Sequence, residues 1–275
     1  MAPSSSFCRP DFGHETRRFF EPVDHYASHV LWAKYMDEIL LASRFMELTK
    51  SYGGLFPESV EARYKFAETR NAAAIFHSTN PHAFSQLVKA LENFKLMKSD
   101  LIVPGGQESE LAARLNESFR KQGWREARVD TRVRLNLVLE PYAPAGDRGI
   151  TERESETESK GYKVDNFMDR VALDVEWNAK DGNLDRDISA YRALYDNALI
   201  DVGVMITRTQ KDLRELGYRL GIESGFDEGR ARRILGTTTT TNSDKLLPRL
   251  TRGDAGGCPF LGIFICAKTY DDTVK

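Results

Sequence analysis

At about residue 128 the spacing of apolar residues changes, and no other feature constrains the fold more. Before it, apolar side chains recur every three or four positions. Leu31, Tyr35, Ile39 and Phe45 fall near one face, as do Leu87, Leu91 and Phe94, and then Leu111, Leu115 and Phe119. That recurrence is the stripe of an α-helix. After it, Val129, Thr131, Val133, Leu135, Leu137 and Leu139 alternate with polar residues, and Val171, Leu173, Val175 and Trp177 do the same. A period of two belongs to β-strands. The run from 200 to 206 is nearly all apolar, as a central strand is, and "CPFLGIFICA" at the C-terminal end reads as a last buried strand. Helical spacing returns between these strands, at Leu184, Ile188, Tyr191 and Leu194 and again over about 210–220. Helices first, then a mixed β-sheet with helices packed on it, is an α/β or α+β architecture. The expected division is a helical N-terminal extension over residues 1–70 and a core over 71–275.

Local signals add detail. "STNPHAF" offers Asn80 as an N-cap and Pro81 in the first turn of a helix, and Gly123 closes the helix that carries Leu111. A helix is also expected over residues 25–48 and another over 60–76, separated by the breaker "SYGGLFPES". "PYAPAGDRGITERESETESKG" (141–161) is polar and poor in apolar residues, which reads as an exposed loop. Two short strands, over 163–167 and 171–178, flank a tight turn.

Composition narrows the function classes. The chain has 275 residues, 41% of them hydrophobic and 29% charged, which is the balance of a globular protein. A net charge of −2 supplies no global positive field, so a nucleic-acid partner would have to be met by a local basic surface. Cys8, Cys258 and Cys266 are odd in number and share no spacing, which suits a reducing compartment. Without a membrane-length apolar run or an apolar signal core, the expectation is a cytoplasmic protein with no membrane partner. No GxxxxGK[ST] is present, so ATP is not expected. His25 and His29 lie four apart, but with Cys8 and His14 their spacing is too irregular to read as zinc.

Chemistry concentrates in "VALDVEWNAKD" (171–181). One face of this strand is apolar. The other presents Asp174, Glu176 and Asn178, with Lys180 just beyond. Side chains two apart on a strand point the same way, about 7 Å apart. Asp165, on the preceding short strand, can be folded back beside Glu176. Asp165 and Glu176 would then form an open carboxylate site for Mg²⁺, which keeps several waters and bridges substrate phosphate. Asn178 could orient water or phosphate but cannot act as a base near neutral pH. Asp169 competes with Asp165 for the first ligand, and Asp174 shares the face. Periodicity alone does not decide the matter, because a polar strand face is most often merely solvated.

An aspartate on one strand, then a carboxylate followed two residues later by lysine or its replacement, resembles the PD-(D/E)XK nucleases. Asp165 and "EWN" (Glu176, Trp177, Asn178) carry the resemblance, with an amide in place of the lysine, as in the BglII and BstYI type of restriction endonuclease. The segment "SDLIVPGGQESELAARLNESFRKQGWREARVDT" resembles the region upstream of that family's catalytic strands. "VALDVEWNAKDGNLDRDISAYRALYDNALIDVGVMITR" resembles its catalytic strand, following helix and next strand, and "TTTTTNSDKLLPRL" with "GGCPFLGIFI" resembles its recognition loop and last strand. The likeness spans about residues 70–268. It implies a restriction-endonuclease-like core and Mg²⁺-dependent cleavage of double-stranded DNA. It further implies a homodimer acting on a palindromic site with a central GATC. Asp165, Glu176 and Asn178 would be catalytic, and Asp165 and Glu176 would hold the metal. The loop over 237–250 would read bases, with Asn242, Ser243, Lys245 and Arg249 as candidates and Lys180 beside them. Without the resemblance, that loop reads as a flexible segment ending in a helix N-cap at Asn242 or Ser243. Two other readings stay open: a sequence-specific DNA-binding protein that does not cut, and a repair or recombination nuclease without sequence preference.

Overall fold

The computed structural model describes residues 47–103, 109–140 and 151–273. The chain divides into two units, residues 1–44 and 45–275, and the description is of the second. Its elements run α1 (Glu58–Glu61), β1 (Tyr64–Thr69), α2 (Ala72–Thr79), α3 (Pro81–Asn93), α4 (Lys98–Ile102), α5 (Glu110–Lys121), β2 (Arg125–Leu139), β3 (Thr151–Met168), β4 (Val171–Val175), α6 (Gly182–Asp196), β5 (Val202–Arg208), α7 (Lys211–Glu223), α8 (Glu228–Arg233), α9 (Ser243–Arg252) and β6 (Phe260–Ile265).

The six strands form one mixed sheet in the order β1-β6-β5-β4-β3-β2. β4, β5 and β6 are parallel neighbours, and β1, β3 and β2 join antiparallel. The three parallel strands are buried along their whole length, which is why their sequences are so apolar. Alternation in β4 sorts its side chains between two cores. Val171, Leu173, Val175 and the following Trp177 pack with Phe76, Leu87, Leu115 and Phe119. Ala172 faces the other way, onto Leu184, Ile188 and Tyr191 of α6. Asp174 and Glu176 continue that second face.

Two expectations fail for instructive reasons. Residues 60–76 are not one helix, because β1 occupies 64–69 and pairs with β6. Val60, Tyr64 and Ala67 are spaced as on a helix, but the open edge of β6 offers backbone hydrogen bonds to this segment, and tertiary pairing overrides the local pattern. The sheet therefore begins before residue 71. Residues 151–161 are not a loop but the first part of β3, paired with β2 from Leu139↔Thr151 to Arg132↔Glu158. The period of two there is written in polar residues. Glu156 and Glu158 stand across from Arg134 and Arg132, with contacts of 2.6 to 3.3 Å. Val133, Leu135, Leu137 and Leu139 lie on the opposite face of this ribbon and are exposed. Residues 141–150, and the expected helix up to residue 46, fall outside the described residues.

Pro81 opens α3 as expected, but Asn80 does not cap it with its side chain. Its amide donates to Asp201 Oδ2 (3.2 Å), and its oxygen accepts from the Arg170 backbone (3.3 Å). Gly123, at φ 101°, turns the chain after α5 in a conformation that favours glycine.

Candidate active site

The site begins with the two-residue turn between β3 and β4. Asp169 takes φ 50° there, and Arg170 ties the turn to the start of β5 through Asp201 (2.9 Å) and the Ala198 carbonyl (2.6 Å). The short turn sets the register Met168↔Val171, Phe167↔Ala172, Asn166↔Leu173. One step further brings Asp165 to Asp174, and the Asp165 N–H donates to Asp174 Oδ1 at 2.8 Å. Asp174 Oδ2 lies 2.6 Å from the Tyr191 hydroxyl, which is also 2.8 Å from the Val204 carbonyl. Gly203 makes this possible: a Cβ there would sit 2.3 Å from the Tyr191 ring, so only glycine lets the ring lie on β5. Burial first, and then the charge of Asp165, pushes the Asp174 carboxyl up to about 7. Tyr191 donates to Asp174 Oδ2, which pulls the carboxyl back down against that rise.

Glu176 lies just past β4, held in line by its N–H donating to the Ile206 carbonyl at 2.9 Å. Burial pushes its carboxyl up to about 8, reinforced by the charge of Asp187, a hydrogen bond with Asp187 and the charge of Asp174; Arg186 opposes. Asp187, from α6, is raised too, chiefly by burial and against the pull of Arg186. Arg186 Nε donates to Asp187 Oδ1 at 2.8 Å, and its Nη2 is 4.0 Å from Glu176.

These four carboxylates line one cleft of about 370 Å³, with Lys163 and Arg186 at its edge. Among the described residues, no three Asp, Glu, His or Cys side chains form a group that could hold a metal ion. A hard divalent cation such as Mg²⁺ does not require one. It takes one or two carboxylates and fills its remaining positions with water and phosphate oxygens. The donors here are all carboxylate oxygens. Burial favours the protonated forms of Asp174, Glu176 and Asp187, and one oxygen, Asp187 Oδ2, is buried and meets no N–H or hydroxyl donor. Such a donor set fits a hard cation.

Asp165 and Glu176 line the same cleft, as does Asp174, which shares the strand face. Asp169 stays in the exposed turn. Asn178 does not line the cleft with the carboxylates. β4 ends at Val175, and Asn178 takes φ 58°, so the alternation no longer carries it to that face. Its Oδ1 accepts from Arg208 Nε at 2.9 Å, and it lines a different depression with Thr237, Thr240 and Arg230. Asp187 escapes the strand argument because it lies on a helix. Its signal is a carboxylate inside the apolar stripe Leu184, Ile188, Tyr191.

The threonine loop is stitched to the chain that follows Glu176. Thr241 Oγ1 donates to the Glu176 carbonyl (3.1 Å), the Thr241 N–H to Ala179 (2.8 Å), and the Asp181 N–H to Thr239 (2.8 Å). Lys180, exposed, forms a single strand-like bridge to Thr240. Arg208 is fully buried beneath and donates to Asn178, Gln210 and Thr240. Asn242 caps α9 by accepting from the Asp244 N–H (2.9 Å), and it is 2% exposed, so its amide is committed to the fold. Ser243 donates to Asp244 (3.0 Å), Lys245 lies 3.8 Å from Asp181, and Arg249 forms a two-pronged pair with Asp185 at 2.7 Å. Thr237, Thr238 and Thr239 remain exposed.

Among the described residues no helix is long and apolar enough to cross a membrane. No curated protein matches the chain. The family model "Restriction endonuclease BglII/BglIII" matches residues 64–265, from the first residue of β1 to the last of β6. The chain therefore belongs to the BglII/BglIII restriction endonuclease family, and is a type II site-specific deoxyribonuclease.

Proposed function

We propose that this enzyme cleaves double-stranded DNA as a homodimer at a palindromic site with a central GATC, and that hydrolysis depends on Mg²⁺. The observation that carries the metal requirement is the single cleft that Asp165, Asp174 and Glu176 line together, in which burial raises the Asp174 and Glu176 carboxyls. The family pattern of a carboxylate followed two residues on by lysine or a replacement can be met twice, by Asp174-Val175-Glu176 or by Glu176-Trp177-Asn178. The end of β4 favours the first. Asp165 and Glu176 would hold the cation, with Asp174 beside them in the cleft. Asn178 would instead act through Arg208 to position the threonine loop.

A bound divalent cation acidifies water and neutralises charge on a scissile phosphate. The protein's own part is positional. The β3–β4 turn fixes Asp165 against Asp174, and Tyr191 fixes Asp174. Lys163 and Arg186 give the cleft a cationic edge for a phosphodiester backbone. Because the loop over 237–241 is bonded to the segment after Glu176, reading and cutting share one frame.

Mapped phage DNA incubated with purified enzyme tests this. A discrete fragment set is expected with Mg²⁺ or Mn²⁺. Ca²⁺ should support binding without hydrolysis, because it takes more ligands and acidifies its water less. Cleavage at full rate in excess EDTA would end the metal mechanism.

A further inference from the structure

We propose that Asp187 of α6 is a cation ligand of this cleft, acting with Glu176 from the opposite wall. The proposal rests on the functional reading above and extends its donor set from the sheet to the helix that covers it. Asp187 faces inward with Leu184, Ile188 and Tyr191, where a carboxylate is out of place by hydrophobic patterning. Its side chain is only 3% exposed. One oxygen is engaged by Arg186 at 2.8 Å, while the other, Oδ2, is buried and meets no N–H or hydroxyl donor, only the carboxyl of Glu176 standing near it. A buried carboxylate oxygen without a donor is costly, and such atoms in native proteins call for an explanation. Arg186 does not supply one, since its side chain is 62% exposed and meets only Oδ1. The neighbours that face Asp187 across the cleft are Glu176 and Asp174, both acids. A divalent cation between Glu176 and Asp187 would give Oδ2 a partner and balance both carboxylates at once. α6 is the crossover between β4 and β5, so Asp187 would also tie cation binding to the helix that positions Tyr191 and Asp174.

The test is Mn²⁺ affinity of the full chain without DNA, read by electron paramagnetic resonance, for the wild type, Asp187→Asn and Glu176→Gln. Asp187→Asn keeps the shape and removes the charge. It is expected to weaken Mn²⁺ binding about tenfold or more, as loss of a metal-site partner does. If Asp187→Asn is folded by circular dichroism and binds Mn²⁺ as the wild type does, while Glu176→Gln binds it weakly, Asp187 is only the partner of Arg186 and the proposal is overturned. If neither substitution changes Mn²⁺ affinity, the cleft is not the cation site and the functional reading falls with it. Should Asp187→Asn fail to fold, Asp187→Glu decides. It keeps the charge and moves it by one methylene, so a changed Mn²⁺ affinity supports the proposal and an unchanged one overturns it.

Discussion

Tyr191 shows how much of this site rests on single atoms. Its hydroxyl reaches Asp174 and the Val204 carbonyl, and its ring occupies the space that Gly203 leaves. Tyr191→Phe should leave an acceptor in the core unpartnered, at a cost of about 1–3 kcal/mol. A lower melting temperature, together with slower cleavage at saturating Mg²⁺, is the expected result. Unchanged values of both would show that Asp174 needs no such support. At this scale the sequence is legible in part. Asp165 and Glu176 stand out because strand alternation and the family pattern both point to them. Asp187 does not, because a charge inside a helix stripe looks like an ordinary flaw until its partners are known. The place of Asn178 is hidden for a different reason: alternation cannot say where a strand ends, and one left-handed residue redirects its side chain.

The elements were legible wherever apolar residues carried the period. β4, β5 and β6 and helices α3, α5, α6 and α7 all follow from it. β1 and the outer half of β3 do not. One borrows its hydrogen bonds from a partner distant in sequence, and the other keeps its period in glutamates, serines and threonines. The segment over 237–250 divides the same way. Asn242 is a cap, so Asn242→Ala should cost about 1 kcal/mol of stability and weaken binding to all DNAs alike. Lys245, half-buried and 3.8 Å from Asp181, is not held by a short ion pair. Lys245→Ala should weaken cognate binding by about 1–3 kcal/mol more than binding to a scrambled duplex at the same salt concentration. Equal losses on both duplexes would make Lys245 a phosphate contact instead.

For the whole molecule, the proposed homodimer matches one carboxylate cleft among the described residues to two strands that must be cut. A palindrome has two-fold symmetry, and a C₂ dimer matches it with one interface used twice. Light scattering of the protein on a single cognate duplex should give the mass of two chains, and the cuts should be placed symmetrically about the centre of the site. A single chain on its site would refute this without touching the chemistry. The chemistry itself depends on which carboxylates form the site, and one comparison addresses that directly: single-turnover cleavage of mapped DNA by Glu176→Ala and Asn178→Ala side by side, with DNA binding measured in parallel. Glu176→Ala should cut more than about a hundredfold slower while still binding DNA, and Asn178→Ala should lose less than about tenfold. Glu176→Ala cutting at the wild-type rate would contradict the account.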